Sequence, residues 1–426
     1  MIGFVGGANN GGVRRAGAGR GLALLIGFNI RVSISCVILL AFLLNVSCAT
    51  NKQTQLPAPP QLPAAQEAAG VVQEDYSVTL VAVGDNLIHI ELINDAKTEA
   101  DGVFDFDKYY TRVASLIKNA DVAFINQETM IAGEGFGYSG YPLFNGPKGI
   151  GEAIVNLGFD VVNHASNHTM DKGEGAVFEV IDFWDVQKDV LVLGINRSPE
   201  ERDDVGKNII ERNNIKIGFL AYTYGTNGIP LPKDKPFLVS LIDTDVMAGE
   251  IGALRPLCDF LVVSMHWGNE YEFTPSERQE ELALFLAECG VDLVIGHHPH
   301  VLQPFRAIPR EGSPPMVCFF SLGNFLSAQS EPPRLLGGMM RVTVRKGASP
   351  PYGVSVDEAE LLPLVTHYEA GYRGFSVYLL SDYTEGLSER HLLRQRNKYS
   401  GLSYFHDLVK NIFPPAPASG FPSATR

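Results

Sequence analysis

From residue 76 onward, short apolar runs alternate with amphipathic segments of helical spacing. The runs include SVTLVAV, VAFI, FLVVSM and VDLVI. Such near-continuous apolar stretches are typical of strands that are covered by helices on both faces. Segments such as IGEAIVNLG and RQEELALFLAEC lie between them and have helical spacing. The alternation predicts an α/β fold with its strands buried between helices.

The pattern changes toward the C-terminus. MVCFFSLGNFL predicts one further strand, and MMRVTVRK and GVSVDEAELLPLV predict late antiparallel strands. EGLSERHLLRQRN predicts a single polar helix. No internal repeat or second linker interrupts this part of the chain. We therefore expect one domain over residues 76–410, followed by a loose tail over residues 411–426.

The N-terminal region has the features of an export signal. Several arginines precede the uncharged run VSISCVILLAFLL, which is too short for a comfortable membrane span and fits a signal-peptide core. Ser47 and Cys48 follow, as in a bacterial lipoprotein signal. We predict a lipoprotein-type signal peptide over residues 1–47, lipidation of Cys48, and export to a bacterial cell envelope with a lipid anchor in the membrane. An ordinary signal peptide or an uncleaved anchor is the alternative.

The segment after Cys48 predicts a tether. Residues 48–75 are rich in Pro, Ala and Gln and have few large apolar side chains. Such a composition cannot bury a core and behaves as an extended spacer.

Net charge excludes one class of partner. The chain has a formal net charge of -14 at pH 7. Binding to nucleic acid depends on clustered Lys and Arg, so we expect no nucleic-acid partner. The five cysteines form no CxxC pair and predict no disulfide framework.

Polar and ionisable residues gather where the predicted strands end. In open α/β sheets ligands bind at the carboxyl ends of the strands, so the site is expected there. Carboxylate oxygen and imidazole nitrogen are ligands for divalent metals, and a two-metal cluster can hold the attacking and leaving oxygens of a phosphoryl or acyl displacement. The candidates are Asp85, Glu128, Asn167, His168, His266, His298 and His300.

The histidine cluster IGHHPHV is the strongest of these signals. Alternate residues of an extended segment point the same way, so His298 and His300 are expected to face one ion. Pro299 between them favours extended backbone.

Each of the other candidates has an ordinary structural alternative. Asp85 could cap a helix, and Glu128 could pair with a lysine. The Asn-His pair could satisfy backbone groups of a turn, and His266 could be a packed imidazole. Five such coincidences at five strand ends argue against a purely structural explanation.

These motifs together resemble the CapA family of capsule-synthesis proteins linked to poly-γ-glutamate, a branch of the calcineurin-like metallophosphoesterases. The resemblance covers about residues 78–326 and depends on the order of its motifs. They are GD at 84–85, NQE at 126–128, SNHTMDKG at 166–173, HWGNEY at 266–271, GHHPHVLQ at 296–303 and FSLGNF at 320–325. It implies a metallophosphatase-like layered sandwich of two mixed β-sheets flanked by α-helices.

The resemblance also implies roles for individual residues. His168 would act as general acid or base, with Asp171 orienting it. The implied metal ligands are Asp85, Glu128, Asn167, His266, His298 and His300. The implied substrate contacts are His89, Asn145, Trp267, Glu270, Tyr271, His297 and Asn324. His89 could instead replace a missing metal ligand, and His297 could instead support the ligands from behind.

Two positions depart from the family pattern. Leu87 stands where the phosphoesterases have a histidine ligand, and Asn145 stands where the family often has an arginine. The cofactor is therefore expected to be one or two divalent ions, with Mn, Zn, Fe and Mg all possible.

The sequence is compatible with three functions. The first is a metal-dependent envelope hydrolase acting on an anionic polymer such as poly-γ-glutamate, at a phosphoryl or amide centre. The second is a non-catalytic component that binds the polymer or a membrane synthesis complex. The third is a secreted metallophosphatase unrelated to capsule.

Overall fold

The computed structural model describes residues 76–100, 102–347 and 353–414. The predicted signal peptide, Cys48, the tether and most of the predicted tail lie outside these residues. Within the described ranges, no helix combines the length and the apolar character needed to cross a membrane.

The described chain contains strands and helices in a mixed order. The strands are β1 Tyr76–Leu87, β2 Val122–Asn126, β3 Val161–Asn163, β4 Leu191–Leu193, β5 Ile209–Arg212, β6 Ile215–Thr223, β7 Phe260–His266, β8 Leu293–His297, β9 Leu302–Arg310, β10 Ser313–Leu322, β11 Asn324–Ser327, β12 Leu336–Lys346, β13 Val354–Glu369 and β14 Arg373–Leu379. The α-helices are α1 Ile90–Ala96, α2 Ala114–Lys118, α3 Gly149–Leu157, α4 Gly173–Asp185, α5 Pro199–Asp203, α6 Thr244–Leu254, α7 Glu277–Glu288, α8 Glu385–Arg390, α9 Leu392–Gln395 and α10 Leu402–Ile412.

The strands form two mixed sheets. The first has the order β14-β13-β12-β1-β2-β3-β4, with β11 also paired to β1. Its β1–β4 part is parallel, whereas β12, β13 and β14 are antiparallel. The second has the order β5-β6-β7-β8-β10-β9 and is parallel from β6 to β10. The predicted α/β fold with two mixed sheets and helices is confirmed, as are the late antiparallel strands.

Alternation along the strands divides the core into two layers. Phe219 and Val262 of the second sheet belong to the same buried cluster as Val81 and Ile125 of the first sheet. The opposite face of the second sheet packs against α6 and α7 in a separate cluster. Because side chains of a strand alternate between its faces, one apolar run supplies both layers.

The predicted strand MVCFFSLGNFL is in fact two strands in different sheets. β10 ends at Leu322 and β11 begins at Asn324, with Gly323 between them at φ 62°. A left-handed conformation favours glycine and ends the strand, so the chain leaves the second sheet and pairs with β1 of the first.

The predicted polar helix near the C-terminus is also divided. α8 ends at Arg390 and α9 begins at Leu392, because His391 has an extended backbone at ψ 133°. Its Nδ1 accepts a hydrogen bond from the Leu393 N–H and so caps α9.

Candidate metal centre

The ends of strands from both sheets meet at one place. β1 contributes Asp85, and Glu128 lies just beyond the end of β2. The second sheet contributes His266 at the end of β7 and His297 at the end of β8. The crossing strand β11 begins with Asn324, which is in register with Asp85. The topology thus brings these strand ends together, as the sequence predicts.

Asp85 lies in a dense set of polar contacts. Its Oδ1 accepts a hydrogen bond from Asn126 Nδ2 at 2.8 Å, and its Oδ2 lies 3.0 Å from His300 Nδ1. Oδ2 also accepts the His298 N–H at 3.3 Å. Burial opposes ionisation, but the contacts with His297 and His300 outweigh it and hold the pKa of Asp85 well below its ordinary value. Asp85 is therefore an ionised carboxylate.

Glu128 has no such partners. Both carboxylate oxygens are buried without a hydrogen bond. Its Oε1 lies 3.8 Å from the Nε2 atoms of His266 and His300, and 3.9 Å from His168 Nε2. Burial raises the pKa of Glu128 well above its ordinary value, and the charge of Asp85 adds to the shift. An unsatisfied buried carboxylate ringed by imidazole nitrogens fits the coordination of a cation.

Two sets of side chains are close enough to hold an ion. Asp85, Glu128 and His300 form the first set, and Glu270, His298 and His300 form the second. Within each set the ligand atoms lie within 4.8 Å of one another. Their oxygen and nitrogen donors suit a divalent metal. Because His300 belongs to both sets, the two positions are adjacent.

The carboxyl groups around His300 favour its protonated, positively charged form. Burial opposes protonation of His300, yet Glu128 and Asp85 raise its pKa to about 9. The Nδ1–H of His300 is shared between Asp85 Oδ2 and Asn324 Oδ1, the latter at 3.1 Å. This arrangement turns Nε2 toward Glu128.

The backbone of the histidine cluster differs from the prediction. β8 ends at His297, and His298 and His300 have φ values of 95° and 56° instead of extended ones. Both side chains still reach the second candidate set because the turn around Pro299 points them inward. Left-handed conformations of non-glycine residues cost roughly 1–3 kcal/mol each and are concentrated at functional sites.

Asn167 and His266 meet across the centre. Asn167 Oδ1 lies 2.8 Å from His266 Nε2, and Asn167 Nδ2 donates to Asn227 Oδ1 at 3.1 Å. His266 Nδ1 is buried without a partner. Burial lowers the pKa of His266 well below its ordinary value, so the ring is neutral and has a lone pair available for a ligand role.

His168 is held by Asp171. The Nδ1–H of His168 donates to Asp171 Oδ2 at 2.7 Å, and the Phe144 N–H donates to the same oxygen at 2.7 Å. The Phe144 ring packs edge-on against His168, with the ring centroids 4.7 Å apart. Because Asp171 engages Nδ1, Nε2 is the nitrogen of His168 that faces Glu128.

Two predicted substrate contacts are placed elsewhere. Trp267 is buried against Phe320, and its Nε1–H donates to the Phe320 carbonyl at 2.9 Å. Asn145 is buried and hydrogen-bonds the backbone of residues 132, 133 and 137. Their polar atoms are occupied within the protein, so Trp267 packs the core and Asn145 braces a loop.

The other predicted contacts surround the centre in different ways. His297 is fully buried, with Nδ1 3.5 Å from Asp85 Oδ1, and it stacks on Phe124. Tyr271 is 37% exposed and its ring centroid lies 6.1 Å from that of His300, which places it at the mouth. His89 Nδ1 lies 2.9 Å from the Leu87 carbonyl, and His89 belongs to neither candidate set.

Sequence reasoning missed two side chains that support the centre. Asn163 Nδ2 donates to Asn126 Oδ1 at 2.8 Å, and Asn126 in turn donates to Asp85. Both residues end strands of the first sheet, which is the signal that identified the other candidates. Such outer contacts orient metal ligands.

Comparison with known sequences identifies the family. Residues 79–329 match the profile described as "Bacterial capsule synthesis protein PGA_cap". The chain belongs to this family. Within the capsule synthesis family, it is 34% identical over 186 residues to the capsule biosynthesis protein CapA of Bacillus anthracis, covering 42% of each chain. It is 30% identical over 180 residues to the PGA biosynthesis protein CapA of Bacillus subtilis (strain 168), covering 42% of this chain and 45% of that one. The matched segment thus spans less than half of each relative.

Solved structures show weaker likeness. The NAD nucleotidase NadN of Haemophilus influenzae has a TM-score of 0.42 at 12% identity, covering 80% of this chain and 69% of that one. The calcineurin-like phosphoesterase YfkN of Bacillus subtilis has a TM-score of 0.38 at 15% identity, covering 78% and 100%. Similarity at this level does not extend to function.

Proposed function

We propose that this chain is a metal-dependent hydrolase of the cell envelope that acts on a phosphoryl or amide centre in a capsule polymer such as poly-γ-glutamate. The buried, unpartnered carboxylate of Glu128 carries the proposal. Three imidazole Nε2 atoms lie within 3.9 Å of its Oε1. Burying a carboxylate without hydrogen bonds is costly unless a cation compensates it. The capsule-related names of the two CapA relatives support the substrate class.

The ligands for one or two ions would be Asp85, Glu128, Asn167, His266, His298 and His300, with Glu270 as an additional candidate from the geometry. Mn, Zn, Fe and Mg are all compatible with oxygen and nitrogen donors. A divalent cation supplies Lewis-acid polarisation of the oxygen at the reacting centre.

His168 would be the proton-transfer group. Its Nδ1 is engaged by Asp171, so Nε2 is the atom available to give or take a proton at the substrate. Asp171 orients the ring, and the Phe144 edge closes one side of it against water. This division of roles needs only side chains that already lie in contact.

The cellular setting is part of the proposal. A signal peptide over residues 1–47 and lipidation at Cys48 would anchor the protein to the membrane, with residues 48–75 as tether. The partner would be the anionic polymer itself or a membrane synthesis complex. Labelling with a fatty-acid analogue, compared between the natural chain and Cys48→Ala, tests the anchor directly.

The test of the reaction is hydrolysis by the purified chain. A γ-linked glutamate oligomer and a phosphodiester are offered separately, with and without Mn²⁺ or Zn²⁺, and His168→Ala is assayed in parallel. Turnover that requires both metal and His168 supports the hydrolase. Turnover of small phosphate esters alone would instead favour a general metallophosphatase.

One observation favours a second candidate, a non-catalytic binding component. Leu87 is buried where the resemblance implies a histidine ligand. A site lacking that ligand could bind metal and polymer without turnover. Metal and oligomer binding without hydrolysis in the same assays would support this role.

A further inference from the structure

The mouth of the centre carries an arginine that is not among the predicted site residues. Arg334 lies in a short turn, Pro332–Leu335, between β11 and β12. Its guanidinium carbon is 3.4 Å from the centroid of the Tyr271 ring. Tyr271 in turn neighbours His300. This cation and a candidate metal ligand therefore share one aromatic neighbour.

The position of Arg334 is fixed by the centre itself. Asn324 Nδ2 donates to the Arg334 carbonyl at 3.0 Å, while Asn324 Oδ1 contacts His300. The Tyr271 N–H donates to the Pro299 carbonyl at 2.7 Å and holds the ring beside the histidine turn. Hydrogen bonds to residues of the centre thus fix both the backbone of Arg334 and the Tyr271 ring on which its side chain stacks.

The guanidinium is free to bind a ligand. Among the described residues, it forms no ion pair with a carboxylate and donates no side-chain hydrogen bond. Stacking uses the face of the guanidinium and leaves its edge donors unused. Those donors match a carboxylate or phosphate in bidentate fashion.

The acidic residues around the centre make a nearby cation useful for binding an anionic substrate. The centre contains four acidic residues, Asp85, Glu128, Asp171 and Glu270, and any of their charges that a bound cation does not offset would repel an anionic substrate. Within the described ranges, no other lysine or arginine forms an ion pair or cation–π contact with a residue of the centre. Among the described residues, Arg334 is therefore the one lysine or arginine that contacts the centre in this way.

We propose that Arg334, stacked on Tyr271, binds an oxyanion of the substrate next to the group that reacts. This inference rests on the proposed function and narrows its substrate to molecules that carry a carboxylate or phosphate beside the scissile bond. A γ-linked glutamate chain meets this requirement because every residue keeps a free α-carboxylate. Tyr271 is a positioning residue that holds the guanidinium flat.

Equilibrium binding tests the inference without turnover. The full chain is titrated calorimetrically with γ-linked triglutamate in one arm and with inorganic phosphate in the other, after its metal content has been measured. Arg334→Gln is expected to weaken binding of the recognised oxyanion about 10- to 100-fold, the value of a charge-assisted hydrogen bond. Arg334→Lys is expected to lose less, because it keeps the charge but not the fork.

Arg306→Gln is the matched control. Arg306 also stacks on an aromatic ring, that of Phe320, but it pairs with Glu280 away from the centre. The control is expected to bind like the natural chain, and unfolding midpoints and metal content verify that every variant is folded and loaded. The titration in which the affinity depends on Arg334 shows whether the site recognises a carboxylate or a phosphate.

The outcomes separate this inference from the hydrolase proposal. Binding that depends on Arg334 without hydrolysis leaves the inference standing and removes the enzyme. Equal affinities of Arg334→Gln and the natural chain, or no binding of either anion by the natural chain, overturns the role of Arg334 whether or not the chain hydrolyses anything.

Discussion

His168 Nδ1 and Asp171 Oδ2 are joined by a 2.7 Å hydrogen bond, and the same carboxylate oxygen accepts the Phe144 N–H. The other oxygen, Oδ1, is buried without a partner. One side chain thus sets the orientation of the proposed proton-transfer group and fastens the adjacent loop. Charge and hydrogen bonding at this position can be separated experimentally.

Asp171→Asn and Asp171→Ala should have different effects. The asparagine can keep both hydrogen bonds through its oxygen while losing the charge, so we expect kcat to fall roughly 10-fold with KM and metal content unchanged. The alanine leaves the buried Phe144 N–H unpaired and frees His168. We expect it to lower kcat about 100-fold or more and to destabilise the fold by about 1–3 kcal/mol. Steady-state kinetics measure the change in kcat, and denaturant unfolding measures the change in stability. Equal effects of the two variants would contradict separate contributions of charge and hydrogen bonding at Asp171.

Glu128→Gln should weaken metal binding without harming the fold. The substitution replaces a buried carboxyl group that has no hydrogen-bond partner with a neutral amide of similar shape, so the metal-free protein should be as stable as the natural chain or more so. Mn²⁺ should raise its unfolding midpoint less than that of the natural chain, because one of the two candidate sets has lost a ligand while the other is intact. Elemental analysis and thermal unfolding with added Mn²⁺ check this. Glu281→Gln, an exposed control, should bind metal normally. A metal content and a Mn²⁺ response of Glu128→Gln equal to those of the natural chain would exclude this carboxylate as a ligand.

Gly84→Ala should disrupt the contact between β1 and the chain that crosses to the first sheet. A Cβ at Gly84 would lie 1.9 Å from the Gly323 carbonyl oxygen, which also accepts the Asp85 N–H. The strands would have to separate, and we expect a loss of about 3 kcal/mol or more, or failure to fold. Gly249→Ala is the control, because at its exposed site in α6 the new Cβ would have no atom within 4 Å apart from the local helix backbone. It should stabilise by up to about 1 kcal/mol, and similar unfolding midpoints for the two variants would refute the argument.

His391 should make the fold sensitive to acid. Burial lowers the pKa of His391 to about 3, whereas an unfolded histidine titrates near 6.5. The unfolded chain therefore binds the extra proton between these values. The contribution to stability is complete above about pH 6.5 and declines by about 1.4 kcal/mol per pH unit as the pH falls toward 3.

His391→Asn isolates this effect. Asparagine can still cap α9 but does not titrate, so the curve of unfolding free energy against pH should become shallower below pH 6.5. His406→Asn changes an exposed histidine on α10 and is the control. Denaturant unfolding at several pH values gives the slopes, and the same slope in the natural chain and His391→Asn would rule out the assignment.

The strand ends could be predicted because each lies next to its own apolar run. Asp85, Glu128 and His266 all follow such runs, and parallel strands bring their ends to one edge. Glu270 and Arg334 lie in turns. The family resemblance implied Glu270 as a substrate contact, but its place in a candidate metal set depends on its closeness to His298 and His300, which no local pattern encodes. Arg334 was not predicted, because its link to the centre is its contact with Tyr271.

The backbone conformation of some site residues also could not be predicted from the sequence. His298 and His300 adopt left-handed angles although neither is glycine or asparagine, so the residue types gave no sign of the turn. The break at Gly323 was hidden in the same way, because an apolar run on each side of a glycine reads as one strand.

The passage of the chain through Gly323 has a consequence for cooperativity. Asn324 lies in the first sheet, while Leu322, two residues earlier, lies in the second, and the candidate ligands come from both. Neither sheet can therefore assemble the centre by itself, and the two sheets also share one buried core. An ion that binds only the assembled centre would strengthen this coupling, and its removal should lower the unfolding midpoint of the whole domain within a single transition.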